Sequence, residues 1–441
     1  MTRLSGPAAD RAGLDPERLF RRLAGAPGLI LAVSGGPDST ALMLLMAGWS
    51  ARPPLLVVSF DHGLRLEAVD EARLVAANAT RLGLACRVMR AAARPSGGNL
   101  QDWARRARYK CLAAAAREAG FDTVVTAHHQ EDQAETFLLR LARGSGVYGL
   151  GGMAEEATVD GLRLARPLLT VSRRDLADVA EASGLPVSDD PSNRDPRFAR
   201  VRMRALLPAL AEHGLTPARL AGTAARLARA AAALHYYAET LLRDDFTSDP
   251  HGVVRGPTAA LAAAPEEVGL RALALLLAAV GGAHHTPRLD RLEALRDGIL
   301  AAGAEDRFRR TLHGCIVNLA AGGLTARREW GRSGLAAIPA AAGVGVVWDR
   351  RFRVEIPIVA GSLTVGPLGR SGRRLDAAAR SAGRDRASIQ VLPGLYDGAR
   401  LIAAPEIVAA VDGGEALSVL EADCVVGRRL GLHPVNVAPR N

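Results

Sequence analysis

Leu29-Ile30-Leu31-Ala32-Val33-Ser34-Gly35-Gly36-Pro37-Asp38-Ser39-Thr40 decides how the N-terminal half of this chain folds. Its first five residues are a short, unbroken apolar run, as expected of a strand buried on both faces. Two glycines and a proline stop that strand, and 40–46 then reads as a helix. The alternation repeats outward. Leu55-Leu56-Val57-Val58-Ser59-Phe60, 85–89 and Thr123-Val124-Val125-Thr126 predict further strands, and 67–82, 100–119 and 131–142 predict helices. Gly83 and Gly120 sit where helix C-caps fall. This order predicts an α/β fold with a doubly wound parallel sheet. Ligands of such sheets lie beyond the carboxyl ends of the strands. Ser34, Phe60-Asp61-His62-Gly63 and Ala127-His128-His129 all fall there.

After Pro208 the texture changes. Residues 215–304 are rich in Ala, Leu and Arg with helical period, 334–345 reads as an almost uncharged linker, and strand-like runs follow. The expected domains are a catalytic domain over 1–212, a helical domain over 213–333 and a small β-rich domain over 346–441.

The 441 residues are 49% hydrophobic and 23% charged, which suits folded cores and excludes a wholly disordered chain. No apolar segment is long enough for a membrane span, and residues 1–19 lack the apolar core of a secretory signal, so the expected compartment is the cytoplasm. Lys plus Arg is 56 against 46 Asp plus Glu, a net charge of +10. That excess favours an anionic partner such as RNA, although an Arg-rich genome accounts for it equally well. Lys110 is the single lysine and no Ser or Thr follows it, which excludes a Walker A loop. Cys86, Cys111, Cys315 and Cys424 are scattered without a Cys-x-x-Cys pair, which disfavours zinc, iron–sulfur and disulfide frameworks.

Between a buried strand and a helix, Ser34-Gly35-Gly36-Pro37-Asp38-Ser39 reads as a phosphate cradle. The glycines admit close backbone approach, the helix offers unpaired N–H groups, Ser34 and Ser39 add hydroxyls, and Pro37 has no N–H to leave unpaired. A carboxylate beside phosphates needs a cation between them, so Asp38 is expected to meet them through Mg²⁺. A plain glycine-rich turn with Asp38 near an N-cap is the alternative. Further on, His128, Asp132 and Glu135 are spaced i, i+4, i+7 and share one helix face. Two carboxylates there suit a cation, either Mg²⁺ or an ammonium, and they also suit simple capping of a helix N-terminus.

The Ser-Gly-Gly-x-Asp-Ser wording resembles the pyrophosphatase loop of the ATP α-hydrolase superfamily. Several blocks in order resemble the tRNA(Ile)-lysidine synthase family: the 34–39 loop, Phe60 to Arg65, Asn99-Leu100-Gln101, Arg108-Tyr109, His128 through Thr136, Arg143-Gly144-Ser145-Gly146, Arg166-Pro167-Leu168-Leu169, and Asp190-Pro191-Ser192-Asn193 with Arg200, Arg202 and Arg204. The likeness covers about the first 210 residues. Glu131 stands where the family usually has Asp, and Val201 where it often has Asn.

The resemblance implies ATP and Mg²⁺ as cofactors, L-lysine as substrate and tRNA(Ile) with a CAU anticodon as partner. It implies adenylylation of the wobble cytidine at its 2-oxygen, then attack by lysine and loss of AMP. On it, Asp38 positions the metal at the pyrophosphate, and His128, Arg108 and Arg200 stabilise the transferring phosphoryl group. Ser34, Gly35, Gly36, Pro37, Ser39, Asp61 and His62 hold the nucleotide, and Asp132 and Glu135 receive the ammonium of lysine. Either His128 or a carboxylate is the base. The C-terminal domain is expected to recognise tRNA; a homodimer built on it is compatible with the same activity.

Overall fold

The computed structural model describes residues 13–61, 63, 68–91, 100–159, 161–189, 195–302, 308–369, 386–405 and 418–434. They fall into two compact units that divide between residues 231 and 232.

The first unit opens with a short helix α1 (Pro16–Phe20) and strand β1 (Leu29–Ala32), followed by helix α2 (Pro37–Gly48). Then come β2 (Leu55–Asp61), α3 (Ala68–Arg81), β3 (Ala85–Arg90), α4 (Leu100–Ala119), β4 (Thr123–Val125) and α5 (Gln130–Leu141). A short helix α6 (Val147–Leu150), a hairpin of β5 (Glu156–Val159) and β6 (Leu162–Ala165), and helices α7 (Arg173–Ala182) and α8 (Ala199–Glu212) complete it.

The sheet runs β3-β2-β1-β4-β6-β5. All pairs are parallel except β5 with β6 at one edge. Strand β1 explains the unbroken apolar run. Leu29 and Leu31 pack with α2 and α7 residues such as Leu42, Leu45 and Leu176, whereas Ile30 and Ala32 pack with Leu112, Ala116 and Val124 on the other face. Both faces are thus dry, and truncating Leu31 to Ala is expected to cost about 2–5 kcal/mol. The chain moves outward from β1 to β3 and then returns to place β4 on the far side of β1. The order reverses between β1 and β4, so their carboxyl ends flank the crevice where such sheets bind ligands.

The helix α9 (Pro217–Asp245) contains the division between the units. The second unit holds more strand than the sequence suggests. Strands β7 (Thr247–Ser248), β8 (Val254–Pro257), β9 (Phe308–Leu312), β10 (Cys315–Ala320) and β11 (Gly323–Arg328) form most of a six-stranded sheet. Helices 258–263, 266–280 and 289–301 accompany it. Five of these strands lie in the stretch expected to be helical. They are short, and in Phe308-Arg309-Arg310-Thr311-Leu312 consecutive arginines hide the alternation that marks a strand. The remainder is β-rich, as expected. Strands 346–348, 352–354 and 363–367 build a second core around Trp348, Phe352, Val365 and Leu395. The expected linker contains one more strand, Ile338–Pro339, paired with Thr364 and Val365. No described helix is long and apolar enough to cross a membrane.

Candidate active site

Two strand-to-helix junctions meet at the reversal point. Past β1 the Val33 N–H still bonds to the Val58 carbonyl at 3.0 Å, and Ser34 then projects into solvent. The loop closes on Ser39. Its hydroxyl accepts the Ser34 N–H at 3.2 Å and donates to the Gly36 carbonyl at 3.0 Å. Ser39 is therefore largely spent on shaping the loop; the solvent-facing Ser34 hydroxyl lies 3.2 Å from Ser39 Oγ and keeps its oxygen free to accept. Gly35 has φ +93° and is buried. A Cβ there would stand 3.2 Å from Ser188 Oγ and 3.4 Å from Val75 Cγ2, so both conformation and space call for glycine. The Gly35 carbonyl accepts the Ser188 N–H at 2.8 Å. Gly36 caps α2 with Pro37 first in the helix, which leaves the first-turn N–H groups facing the crevice mouth.

Asp38 lies in that first turn, with Oδ2 3.6 Å from His129 Nε2. Its Oδ1 is buried and has no partner. His129 is 2% exposed and ends the β4 junction as the N-cap residue of α5. Its Nδ1 is 3.0 Å from Glu131 Oε2, and its Nε2 is also 3.6 Å from Asp132 Oδ2. Burial alone would lower the His129 pKa, but Asp38, Glu131 and Asp132 outweigh it and push it up to about 10. His129 is thus a fixed cation that ties the loop to α5. Glu131 also accepts the Arg173 N–H at 2.8 Å, and its pKa falls, against burial, through His129 and that amide. The glutamate in place of the family's usual aspartate reaches both partners.

His128 is the opposite case. Burial first, then Arg166, Arg200 and Arg108, lower its pKa to about 4 against the pull of Asp132. It enters the site as a neutral ring, and Nδ1 lies 2.8 Å from Thr126 Oγ1. Among His128, Arg108 and Arg200, the positive charge here belongs to the two arginines rather than to His128. Arg108 is half-buried, and burial lowers its pKa. Arg200 Nη2 donates to Thr136 Oγ1 at 3.4 Å.

Glu135 is fully buried, and its Oε1 accepts Arg204 Nε at 2.6 Å. Its Oε2 is buried without a partner. Burial raises the Glu135 pKa and Arg204 counters in part. Asp132 accepts the His129 N–H at 3.2 Å, so capping and side-chain charge coexist at this helix start. Asp61, 5% exposed, accepts the Gly63 N–H at 2.7 Å and lies 3.4 Å from Arg90 Nε. Its carboxylate is committed locally. His62 and the Asp190–Asn193 block lie outside the described residues.

The structure therefore brings together Asp38, His128, Asp132, Arg108 and Arg200, with Glu135 on the same helix. The site also has features that the sequence did not single out. His129, read only as one of a pair, is its electrostatic centre; its place immediately before the helix was the available signal. Arg166 and Arg204 were quoted only as parts of family blocks; their contacts here come from tertiary packing. Gln133 fixes the glycine-rich segment by a two-way bond to the Met153 backbone, 2.7 Å in each direction. Among the described residues no group of three or more His, Cys, Asp and Glu is arranged to hold a metal. The four cysteines are free, and burial raises the pKa of each, Cys315 to about 12 and Cys424 to about 11.

A family model described as a PP-loop domain matches residues 15–210, which indicates use of ATP. The chain is 47% identical over 323 residues to the tRNA(Ile)-lysidine synthase of Methylobacterium sp. (strain 4-46), covering 70% of this chain and 94% of that relative. It is 46% identical over 331 residues to the protein of the same name from Bradyrhizobium diazoefficiens, covering 70% and 91%. It is 38% identical over 380 residues to that of Ruegeria pomeroyi, covering 85% and 87%.

Proposed function

The chain belongs to the tRNA(Ile)-lysidine synthase family, and on that premise we propose that it ligates L-lysine to C2 of the wobble cytidine of CAU-anticodon tRNA(Ile) in the cytoplasm. ATP adenylylates the cytidine 2-oxygen and pyrophosphate leaves. The ε-amine of lysine then forms the C2–N bond, the C2–O bond breaks with AMP as leaving group, and the amine gives up a proton. The observation that carries this reading is that Asp38 on the loop and Asp132 at the start of α5 both approach His129 Nε2, which joins a phosphate cradle to a cation-binding helix face.

The parts divide the work by charge. First-turn amides of α2, with Ser34, Gly35, Gly36 and Pro37, receive phosphate oxygens. Asp38 Oδ1 fits Mg²⁺, which prefers one or two carboxylates plus phosphates over an all-protein cage. Mg²⁺ supplies charge neutralisation at the pyrophosphate. His129 holds Asp38 in place. Arg108 and Arg200 stabilise the transferring phosphoryl group, worth about 2.7–4 kcal/mol for one well-aimed contact. Glu135 Oε2, buried and unpartnered, together with Asp132, receives the lysine ammonium. His128, neutral in the folded chain, leaves a ring nitrogen able to accept the proton of the attacking amine; a carboxylate of the cluster is the other base. Asp61 with His62 borders the adenosine, and residues 346–441 serve tRNA recognition.

The test combines pyrophosphate release from ATP, Mg²⁺ and unmodified tRNA(Ile) with incorporation of labelled lysine. Label in the tRNA, with AMP and pyrophosphate in equal amounts, is expected. Pyrophosphate without incorporated lysine would overturn the choice of substrate.

A further inference from the structure

Arg166 stands just past β6 and is 7% exposed. Its Nη1 donates to the Ala154 carbonyl at 2.7 Å, while its Nε is buried without a partner. Burial lowers its pKa, Arg105 and Arg140 add to that, and the Tyr109 hydroxyl, within hydrogen-bonding reach, opposes it. Arg140 is committed through Nη1 to the carbonyls of Gly149 and Gly152, at 2.6 and 2.7 Å. Arg105 is exposed and lies over the Tyr109 ring, 5.1 Å from its centre. A buried guanidinium with an unpaired N–H and further cations around it is costly, and an anion that reaches it removes that cost. The flat donor edge of a guanidinium matches two oxygens of one phosphate.

We propose that Arg166, with Arg105 and Tyr109, forms a second phosphate-binding pocket past the end of β6, in which Arg166 Nε is the central donor. The source of the phosphate, a nucleotide or the RNA backbone, rests on the function proposed above. The pocket itself does not, because inorganic phosphate is a sufficient probe.

Calorimetry with inorganic phosphate and with ATP, and filter binding of tRNA across a salt series, would be run on the full chain and on Arg166→Gln, Arg166→Lys and Arg105→Ala. Inorganic phosphate is expected to bind Arg166→Gln roughly tenfold more weakly than the wild type, about one lost charge-assisted contact. If the phosphate is that of RNA, the slope of log K against log salt becomes shallower by about 0.7–0.9 in Arg166→Gln while ATP affinity holds. If it is that of ATP, the affinity for ATP falls and the salt slope holds. Arg166→Lys keeps the charge without the planar edge and is expected to fall between. Arg105→Ala, at an exposed position, shows the same change in smaller measure and keeps the test valid if Arg166→Gln fails to fold. Unchanged phosphate, ATP and RNA binding in Arg105→Ala and Arg166→Lys overturns the pocket. So does a raised lysine KM with both phosphate readouts intact, which would assign Arg166 to a carboxylate. A wild type that releases no pyrophosphate would defeat the proposed function yet leave the phosphate comparison intact.

Discussion

The junction after β1 and the junction after β4 do opposite things with the same strand-to-helix geometry. The first is made of main chain. Gly35 bends through φ +93°, and its carbonyl and that of Gly36 are both bonded. The second is made of side-chain charge. His129, 2% exposed, is held among three carboxylates, and His128 beside it is held neutral. A backbone cradle of this kind suits phosphate whatever the rest of the ligand, while the roles proposed for the charged cluster are to select the cation and the proton. Division of this kind makes the two halves separable by mutation.

Asp38 is where the halves touch, so its loss should have the largest effect. Asp38→Ala is expected to reduce pyrophosphate release by roughly a thousandfold, the upper range for one electrostatic contact, with tRNA binding retained in filter assays. Normal release would detach the loop from the chemistry. Glu135→Gln should act on the second half alone. It is expected to raise the lysine KM by about tenfold or more, through loss of a charge-assisted bond, while lysine-free adenylylation continues. A matching fall in adenylylation would mean that the halves are not separable. Gly35→Ala tests the first half. It should destabilise the fold by about 1–2 kcal/mol from the left-handed backbone and raise the ATP KM, leaving the lysine KM unchanged.

The smallest effect is on stability against pH, measured by urea midpoints of the protein without ligands. The folded pKa of His128 is lowered to about 4, so its contribution is complete above the unfolded value near 6.5 and is lost as pH falls through 4. The folded pKa of His129 is raised to about 10, so its contribution is complete below about 6.5 and is lost as pH rises through 10. Stability should therefore peak near pH 6.5. His128→Asn is expected to flatten the acid limb and His129→Asn the alkaline limb. Identical profiles in the two variants would erase the contrast between the rings.

The first junction was legible in the sequence because glycine, proline and an apolar run each have one local meaning. Strands β1 to β4 and their helices were legible for the same reason. The edge hairpin β5–β6 was not: Glu156-Ala157-Thr158-Val159 is short and half polar, and only pairing with β6 makes it a strand. Spacing placed His128, Asp132 and Glu135 on one face, but it could not assign the protonation states, which depend on Asp38 and on arginines far off in sequence. Arg204 reaches Glu135 across 69 residues, and no local pattern announces that. The sheet over 247–328 was hidden because its strands are short and several carry arginines, although its inner face, with Val254, Val317, Leu319, Leu324 and Ala326, is an ordinary buried core.

The bond from the Ser188 N–H to the Gly35 carbonyl has a consequence for which sequences this fold can tolerate. It anchors the phosphate loop without asking anything of the side chain at position 188. Substitution there by a small residue that keeps an N–H leaves the tether whole, because the bond itself uses only the backbone. Proline alone, with no hydrogen to give, would cut the loop loose.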